Sequence, residues 1–214
     1  MNGTESRHKE TLSLSEQKTI GTVTIEYPLE IRWHGRGGQG AVTAAKLLAE
    51  TALEMGMQIQ SFPQFGSERR GAPISAFTRI DKKEIVLYNT IQEPNVIIVL
   101  DPSLLELPMV LKGLQDDGLL LVNSTLSPVE LRSQLKRTGG AIATIPASAI
   151  AVKHLKRVVT NTAMLGAFFG ATGILPLENV VHHVRIKFED QFSKEVVEGN
   201  IKAIEEAYEK VILG

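Results

Sequence analysis

Residues Gly35-Arg36-Gly37-Gly38-Gln39-Gly40 place four glycines within six positions. Glycine at that density costs chain entropy unless the backbone must bend sharply or be approached closely. A strand before this loop and a helix after it would aim backbone amides at an anion, and the helix dipole would add to the attraction. The G-x-G-x-x-G spacing also occurs in dinucleotide-binding turns, which want an acidic residue about twenty residues on for the ribose. The stretch that follows here, MQIQSFPQF from Met57, holds no acid, so NAD binding is disfavoured. The Lys-Ser/Thr ending of a P-loop is also missing, which argues against ATP hydrolysis. A plain tight turn accounts for Gly35 and Gly37, but less well for Arg36 and Gln39 beside them. A second stretch, SFPQFGSERRGAPISAF from Ser61, sets Glu68, Arg69 and Arg70 between Gly66 and Gly71. Adjacent guanidiniums suit phosphate or carboxylate recognition. The alternative is a solvated turn with an internal Glu–Arg pair of little energetic weight.

Hydrophobic periodicity indicates the elements that position these loops. LEIRWHG alternates apolar and polar residues and reads as a strand ending at Gly35. AVTAAKLLAETALEMG switches to helical spacing, with Lys46 and Glu50 as an i,i+4 pair and Gly56 as a stop. MQIQSF, APISAFTRI and EIVLY read as strands, and NVIIVLD and GLLLVNS as buried, parallel ones. SPVELRSQLKR carries helix-start signals: Ser127 at N-cap, Pro128 at N1 and Glu130 at N3. GGAIATIPA is a last strand, and from about Ala147 the pattern is helical. The expected fold is an α/β three-layer open sheet, mainly parallel and Rossmann-like, with helices on both faces and a helical C-terminal part. Residues 1–28 are expected to form a flexible N-terminal arm, and residues 29–214 a single α/β domain.

Other candidates have plain structural readings. His34 borders the loop and suits a backbone-bonded strand cap. Asp101 ends a buried strand, where it could meet a ligand or cap the turn at Pro102. Asn161 and Thr162 precede an apolar helix and suit helix capping. Adjacent His182 and His183 face different sides of a helix, so no metal is assigned. Met164 and Phe168 suit core or interface.

The chain has 214 residues, a net charge of −1 and no cysteine. It therefore offers no thiolate catalysis and no cysteine ligation of zinc or iron–sulfur clusters. The charge balance gives no reason to expect nucleic acid or an acidic membrane as partner. The polar N-terminus lacks the apolar core of a secretory signal, and the expected location is cytoplasmic.

EIRWHGRGGQGAVTAAKLLAE followed by SFPQFGSERRGAPISAFTRI resembles the gamma subunit of the pyruvate (2-oxoacid):ferredoxin oxidoreductase, or pyruvate synthase, family. PNVIIVLD, LLLVNS and NTAMLGAFFGATGILPLE extend the resemblance over roughly Leu29 to Leu213. One departure is Thr160, where many relatives carry proline. The resemblance implies an enzyme subunit, inactive alone, in the coenzyme A-dependent oxidative decarboxylation of pyruvate to acetyl-CoA and CO2 with reduction of ferredoxin. Thiamine diphosphate, Mg and iron–sulfur clusters would sit on alpha-, beta- and delta-type partner subunits. This chain would assist coenzyme A binding and assembly, and would form a homodimer when isolated. The Glu68-Arg69-Arg70-Gly71-Ala72-Pro73 version of the second motif points to the pyruvate or branched-chain 2-oxoacid branch. Two other readings stay open: a non-catalytic packing module, and the gamma subunit of a branched-chain 2-oxoacid enzyme. Candidate cofactor-binding residues are Gly35, Arg36, Gly37, Gly38, Gln39, Gly40, Glu68, Arg69 and Arg70. No catalytic residue is assigned.

Overall fold

A computed structural model describes residues 23, 25–64, 71–86 and 89–214. The expected strand Leu29–Arg36 (β1) leads into helix Ala41–Glu54 (α1), then into Gln58–Gln64 (β2) and Pro73–Asp81 (β3). Next come Val96–Val99 (β4), a 3-10 turn at Pro102–Glu106, and the short helix Pro108–Leu111 (α2). Leu119–Asn123 (β5), Pro128–Leu135 (α3) and Ala141–Ile145 (β6) follow. Four helices then run as Ala147–Leu155 (α4), Asn161–Thr172 (α5), Leu177–Glu189 (α6) and Lys194–Lys210 (α7), and Ile212–Leu213 (β7) closes the chain. Of the expected strand EIVLY, Glu84–Val86 has no strand structure; its last two residues lie outside the described residues.

The sheet has seven strands in the order β2-β3-β1-β4-β5-β6-β7. Strands β1, β4, β5 and β6 are mutually parallel, while β3 and β7 run against their neighbours. The antiparallel β3 sits between β1 and β2. The strand after α1 therefore lies at the sheet edge rather than beside β1, where a dinucleotide fold would need its ribose acid.

Alternation along the strands builds two cores. Leu29, Ile31 and Trp33 of β1 face one side with Val96, Ile98, Leu119 and Leu121, under α1 and the C-terminal helices. Ile97, Val99, Leu120 and Val122 face the other, under the 3-10 turn, α2 and α3. On the first side, the Trp33 indole N–H donates to Thr78 Oγ1 at 3.1 Å, and that hydroxyl donates to the Ala45 carbonyl at 3.2 Å. A buried polar pair is thus satisfied beneath α1. Val23, Ile25 and Tyr27 pack against this core ahead of β1. The expected capping box is present: Ser127 Oγ accepts from Glu130 N, and Glu130 Oε2 accepts from Ser127 N at 2.8 Å.

Helix α5 is apolar all round and buried over nearly its whole length, as a central helix must be. Met164, Leu165, Phe168 and Phe169 are fully enclosed by this chain, so they are core and present no face to a partner. Contact with α7 is backbone-close. A Cβ on Gly166 would lie 2.2 Å from the Ile204 carbonyl oxygen, and one on Gly170 would lie 2.3 Å from that of Tyr208. The two glycines, four apart, clear one groove along α5 for α7.

Glu206 on α7 accepts from Lys153, His154 and Lys210 and so ties α4 to α7. Those hydrogen bonds hold its carboxyl down to about 2.

Two predictions follow from these contacts. Gly166→Ala gains about 1 kcal/mol of helix propensity, yet its methyl meets backbone that cannot yield. It should lower thermal stability more than Gly56→Ala, which has open space and only a left-handed φ of 80° to strain. Equal losses in thermal melts would contradict the tight α5–α7 contact. Glu206 stays ionised in the folded chain to lower pH than in the unfolded chain, where glutamate titrates near about 4.3. Its stabilisation is therefore complete above that value and is lost as pH falls toward about 2. Denaturant titrations should show wild type exceeding Glu206→Gln at pH 6, by about 1 kcal/mol for a network whose two lysines are exposed, and by a smaller margin at pH 3.

Candidate functional site

The glycine loop is held by one carboxylate. Gln39 donates its amide N–H to Asp101 Oδ2 at 2.8 Å, and Arg36 Nε donates to the same oxygen at 3.1 Å. The Gln39 side-chain oxygen turns back to accept from the Arg36 backbone N–H at 2.7 Å. Arg36 Nη2 donates to Ser103 Oγ at 2.9 Å, and Asp101 Oδ1 accepts from Ser103 N at 3.0 Å and from its hydroxyl at 2.6 Å. Asp101 thus caps the turn at Pro102 and also braces the loop. Burial pushes its carboxyl up, but the hydrogen bonds from Ser103 and Gln39 and the Arg36 charge bring it below the usual carboxylate range.

Within this frame the glycines are needed at specific points. Gly38 and Gly40 have φ of 95° and 86°, the left-handed region that disfavours side chains. Gly38 faces open space, whereas a Cβ on Gly40 would lie 2.9 Å from that of Asn161. Gly40 is the N-cap of α1 and supplies no side-chain cap, so the first-turn amides of α1 have no side-chain acceptor from that residue. The loop sits where β1 and β4 end, the carboxyl edge at which open α/β sheets bind ligands.

The second candidate loop approaches the first. Arg36 Nη1 donates to the Gly71 carbonyl at 3.2 Å, and Gly37 N donates to the Ala72 carbonyl at 3.0 Å. The chain that follows Arg70 is therefore pinned to the glycine loop. Glu68, Arg69 and Arg70 themselves lie outside the described residues.

His34 is not a backbone-bonded cap. Its Nε2 accepts from Arg32 Nε at 3.1 Å, and its Nδ1 lies 3.2 Å from Ser75 Oγ. Burial, helped by the Arg32 charge, lowers it to about 4, so it is neutral at physiological pH. With Nε2 accepting, Nδ1 carries the proton and donates to the serine, so His34 is not placed to take a proton from Ser75. His34, Gln64 and Ser75 line a cavity of about 160 Å³ against Leu104, Leu107 and Met109. His183 is buried between Glu54, 2.7 Å from Nδ1, and Glu50, 3.5 Å from Nε2. The two carboxylates face opposite ring nitrogens, so one ion could not join all three. Among the described residues no group of three or more His, Asp or Glu side chains could hold a metal, and no helix is long and apolar enough to cross a membrane.

Sequence reasoning misread the start of α5. Neither Asn161 nor Thr162 caps it: the N-cap is Thr160, which makes no side-chain capping bond. Thr162 Oγ1 instead donates to Asn200 Oδ1 at 2.9 Å. Thr160 Oγ1 and Asn161 Oδ1 are enclosed without any hydrogen-bond partner. The one sequence signal was Asn beside Thr ahead of an apolar run, which capping explains equally well.

Comparison with known proteins identifies the fold family. A family model described as pyruvate ferredoxin/flavodoxin oxidoreductase matches residues 30–210. The chain is 50% identical over 182 residues to the Pyrococcus abyssi pyruvate/ketoisovalerate oxidoreductases common subunit gamma, covering 85% of this chain and 96% of that one. It is 44% identical over 184 residues to pyruvate synthase subunit PorC of Thermotoga maritima, covering 85% and 94%. The crystal structure of pyruvate oxidoreductase subunit PORC from Thermotoga maritima superposes with a TM-score of 0.75 and 41% identity over 87% of this chain and 98% of that one. The match runs from the second residue of β1 to the last of α7, taking in the glycine loop, Asp101 and α5, and on that ground this chain belongs to the pyruvate ferredoxin/flavodoxin oxidoreductase family, among its gamma-type subunits.

Proposed function

We infer that this chain is the gamma subunit of a pyruvate or related 2-oxoacid:ferredoxin oxidoreductase and that its glycine-loop edge helps bind coenzyme A. The first half rests on identity to named gamma subunits over nearly their full length. One of these relatives is named as common to pyruvate and ketoisovalerate enzymes, which agrees with an acid-selecting pocket carried by other chains. A chain without cysteine leaves cluster ligation to its partners, and electrons would pass through them to ferredoxin. Residues 29–214 act as one domain and residues 1–28 as its N-terminal arm, the end of which packs on the core through Val23, Ile25 and Tyr27. The assembled enzyme works in the cytoplasm, and the isolated chain pairs as a two-fold dimer.

The coenzyme A half is carried by the braced loop. Arg36 and Gln39 spend their side chains on Asp101, so they position the turn rather than touch the ligand. Gly37 N and Gln39 N already donate to the Ala72 and Arg36 carbonyls, so contact would fall to the Gly38 amide and to those at the start of α1, which suit a phosphate. Arg69 and Arg70 follow a strand that ends at this same edge and precede residues hydrogen-bonded to the loop, which suits them to complete a phosphate site. When bound, coenzyme A supplies the thiol that accepts the acyl group. This chain holds its phosphates, and the chemistry proceeds on partner subunits.

The test uses the assembled complex. Arg70→Ala removes one charge-assisted contact of about 1.5–3 kcal/mol. It should raise the apparent KM for coenzyme A about tenfold or more, with 2-oxoacid dependence unchanged. If Arg69→Ala and Arg70→Ala both assemble normally and leave coenzyme A kinetics untouched, the loop is packing surface and the coenzyme A assignment is wrong.

A further inference from the structure

Two arginines are buried on the sheet face opposite α1, and they differ in what holds them. Arg79 of β3 is 1% exposed and pairs with Glu30 Oε1 at 2.6 Å. Arg32 of β1 is 8% exposed, and no carboxylate pairs with it among the described residues. Its Nε donates to His34 Nε2 at 3.1 Å, and its Nη2 donates to the Val110 carbonyl at 3.1 Å and to that of Lys112. No hydrogen bond engages Nη1 among the described residues, and Nη1 is not an enclosed atom, so it is open to the space beside it. Burial alone shifts this guanidinium, downward, with no acid to offset it. A buried cation without an anion is costly, and a bound anion would relieve that cost.

The hydrogen bonds next to Arg32 all run in one direction. A guanidinium only donates, so His34 Nε2 must accept and Nδ1 carries the proton. Nδ1 lies 3.2 Å from Ser75 Oγ and donates to it. The Ser75 hydroxyl keeps its own proton to give, and no other group among the described residues takes it. Arg32, His34 and Ser75 line a cavity of about 190 Å³ with Gln64, Gln92 and Met109. His34, Gln64, Ser75 and Met109 also line the cavity of about 160 Å³ walled by Leu104, Leu107 and Val110. The two spaces therefore adjoin and differ in character. One offers a cation and a hydroxyl donor, and the other offers apolar side chains.

We propose that these adjoining cavities bind a small organic monocarboxylate, with its charge on Arg32 Nη1 and the Ser75 hydroxyl and its short apolar chain against Leu104, Leu107 and Met109. One cation and one hydroxyl match a single negative charge. A phosphate dianion would find no second cation, because the rest of the lining is uncharged and His34 is neutral. None of the lining residues belongs to the glycine loop, and the site does not depend on the coenzyme A reading.

The experiment titrates isovalerate into the full chain by calorimetry. Acetate, sulfate and isoamyl alcohol serve as partial probes, with chloride at matched ionic strength as control. Isovalerate should bind saturably. Acetate and sulfate, which lack the chain, and the alcohol, which lacks the charge, should each bind about tenfold more weakly or worse. Gln64 is exposed and lines both cavities, so its variants should fold. Gln64→Glu should weaken isovalerate binding about fivefold and Gln64→Lys should tighten it, while neither changes the alcohol. Arg32→Gln should erase the preference for isovalerate over the alcohol. If losing the Val110 and Lys112 contacts unfolds that variant, the two Gln64 variants decide alone. The site is overturned if wild type binds no isovalerate saturably, if acetate or sulfate binds as tightly as isovalerate, or if isovalerate affinity ignores the charge at position 64.

Discussion

The carboxyl edge of this protein hangs on a single oxygen, Asp101 Oδ2, which accepts from both Arg36 Nε and Gln39 Nε2. Arg36 ends β1, and Asp101 follows β4, its parallel neighbour. The contact joins two strand ends across 65 residues of sequence and fixes the turn between them and α1. Without it, a loop with four glycines in six positions would sample many conformations, because glycine gives up more freedom on ordering than any other residue. The arginine charge and the amide offset that entropy with charge-assisted bonds in a partly buried setting. Arg36 extends the frame to Ser103 and to the Gly71 carbonyl, so the same side chain fixes the start of β3.

Helix α5 is the second fixed point, and it explains why the edge has a rigid floor. Trp33 of β1 approaches Phe168 at 6.5 Å between ring centroids, so the sheet and the central helix share one core. On its other side α5 is pressed against α7 through glycines that admit no methyl group. A helix held on both sides cannot slide, and its amino end therefore stays against Gly40. Packing far from the loop thus sets the geometry at the loop.

Much of this architecture is legible in the residues. The run NVIIVLD has no polar face, and β4 is buried on both sides as such a run requires. Ser127, Pro128 and Glu130 specify a helix start from four adjacent positions, and the capping box forms as written. Local chemistry of this kind needs no knowledge of the rest of the chain. The failures all involve distant partners. Gln39 reads as a residue that holds the turn or meets a ligand, but its acceptor, 62 residues away, could not be named from the sequence. His34 looked like a strand cap, but it is held by Arg32 on its own strand and by Ser75 on β3, which becomes its neighbour only when the hairpin inserts. Glu84 to Val86 had strand composition but found no strand to pair with. Asn161 and Thr162 carried capping residue types and do not cap, because α5 begins one residue earlier and Thr162 turns to Asn200 on α7.

The same frame decides what kind of recognition this edge can perform. Arg36 would be the obvious phosphate ligand beside a glycine loop, but its charge is matched by Asp101 and its donors are spread over a carboxylate, a hydroxyl and a carbonyl. Releasing it for a ligand would leave Asp101 facing the incoming anion and would free the turn. The cation is therefore more useful as a brace than as a contact. What the edge keeps in place are groups that cannot move away: backbone amides held by left-handed glycines, and the amino end of α1. Such donors are already oriented before a ligand arrives, so little ordering entropy is left to lose on binding. A nearly neutral chain can in this way present fixed dipoles at the edge without spending a free cation there.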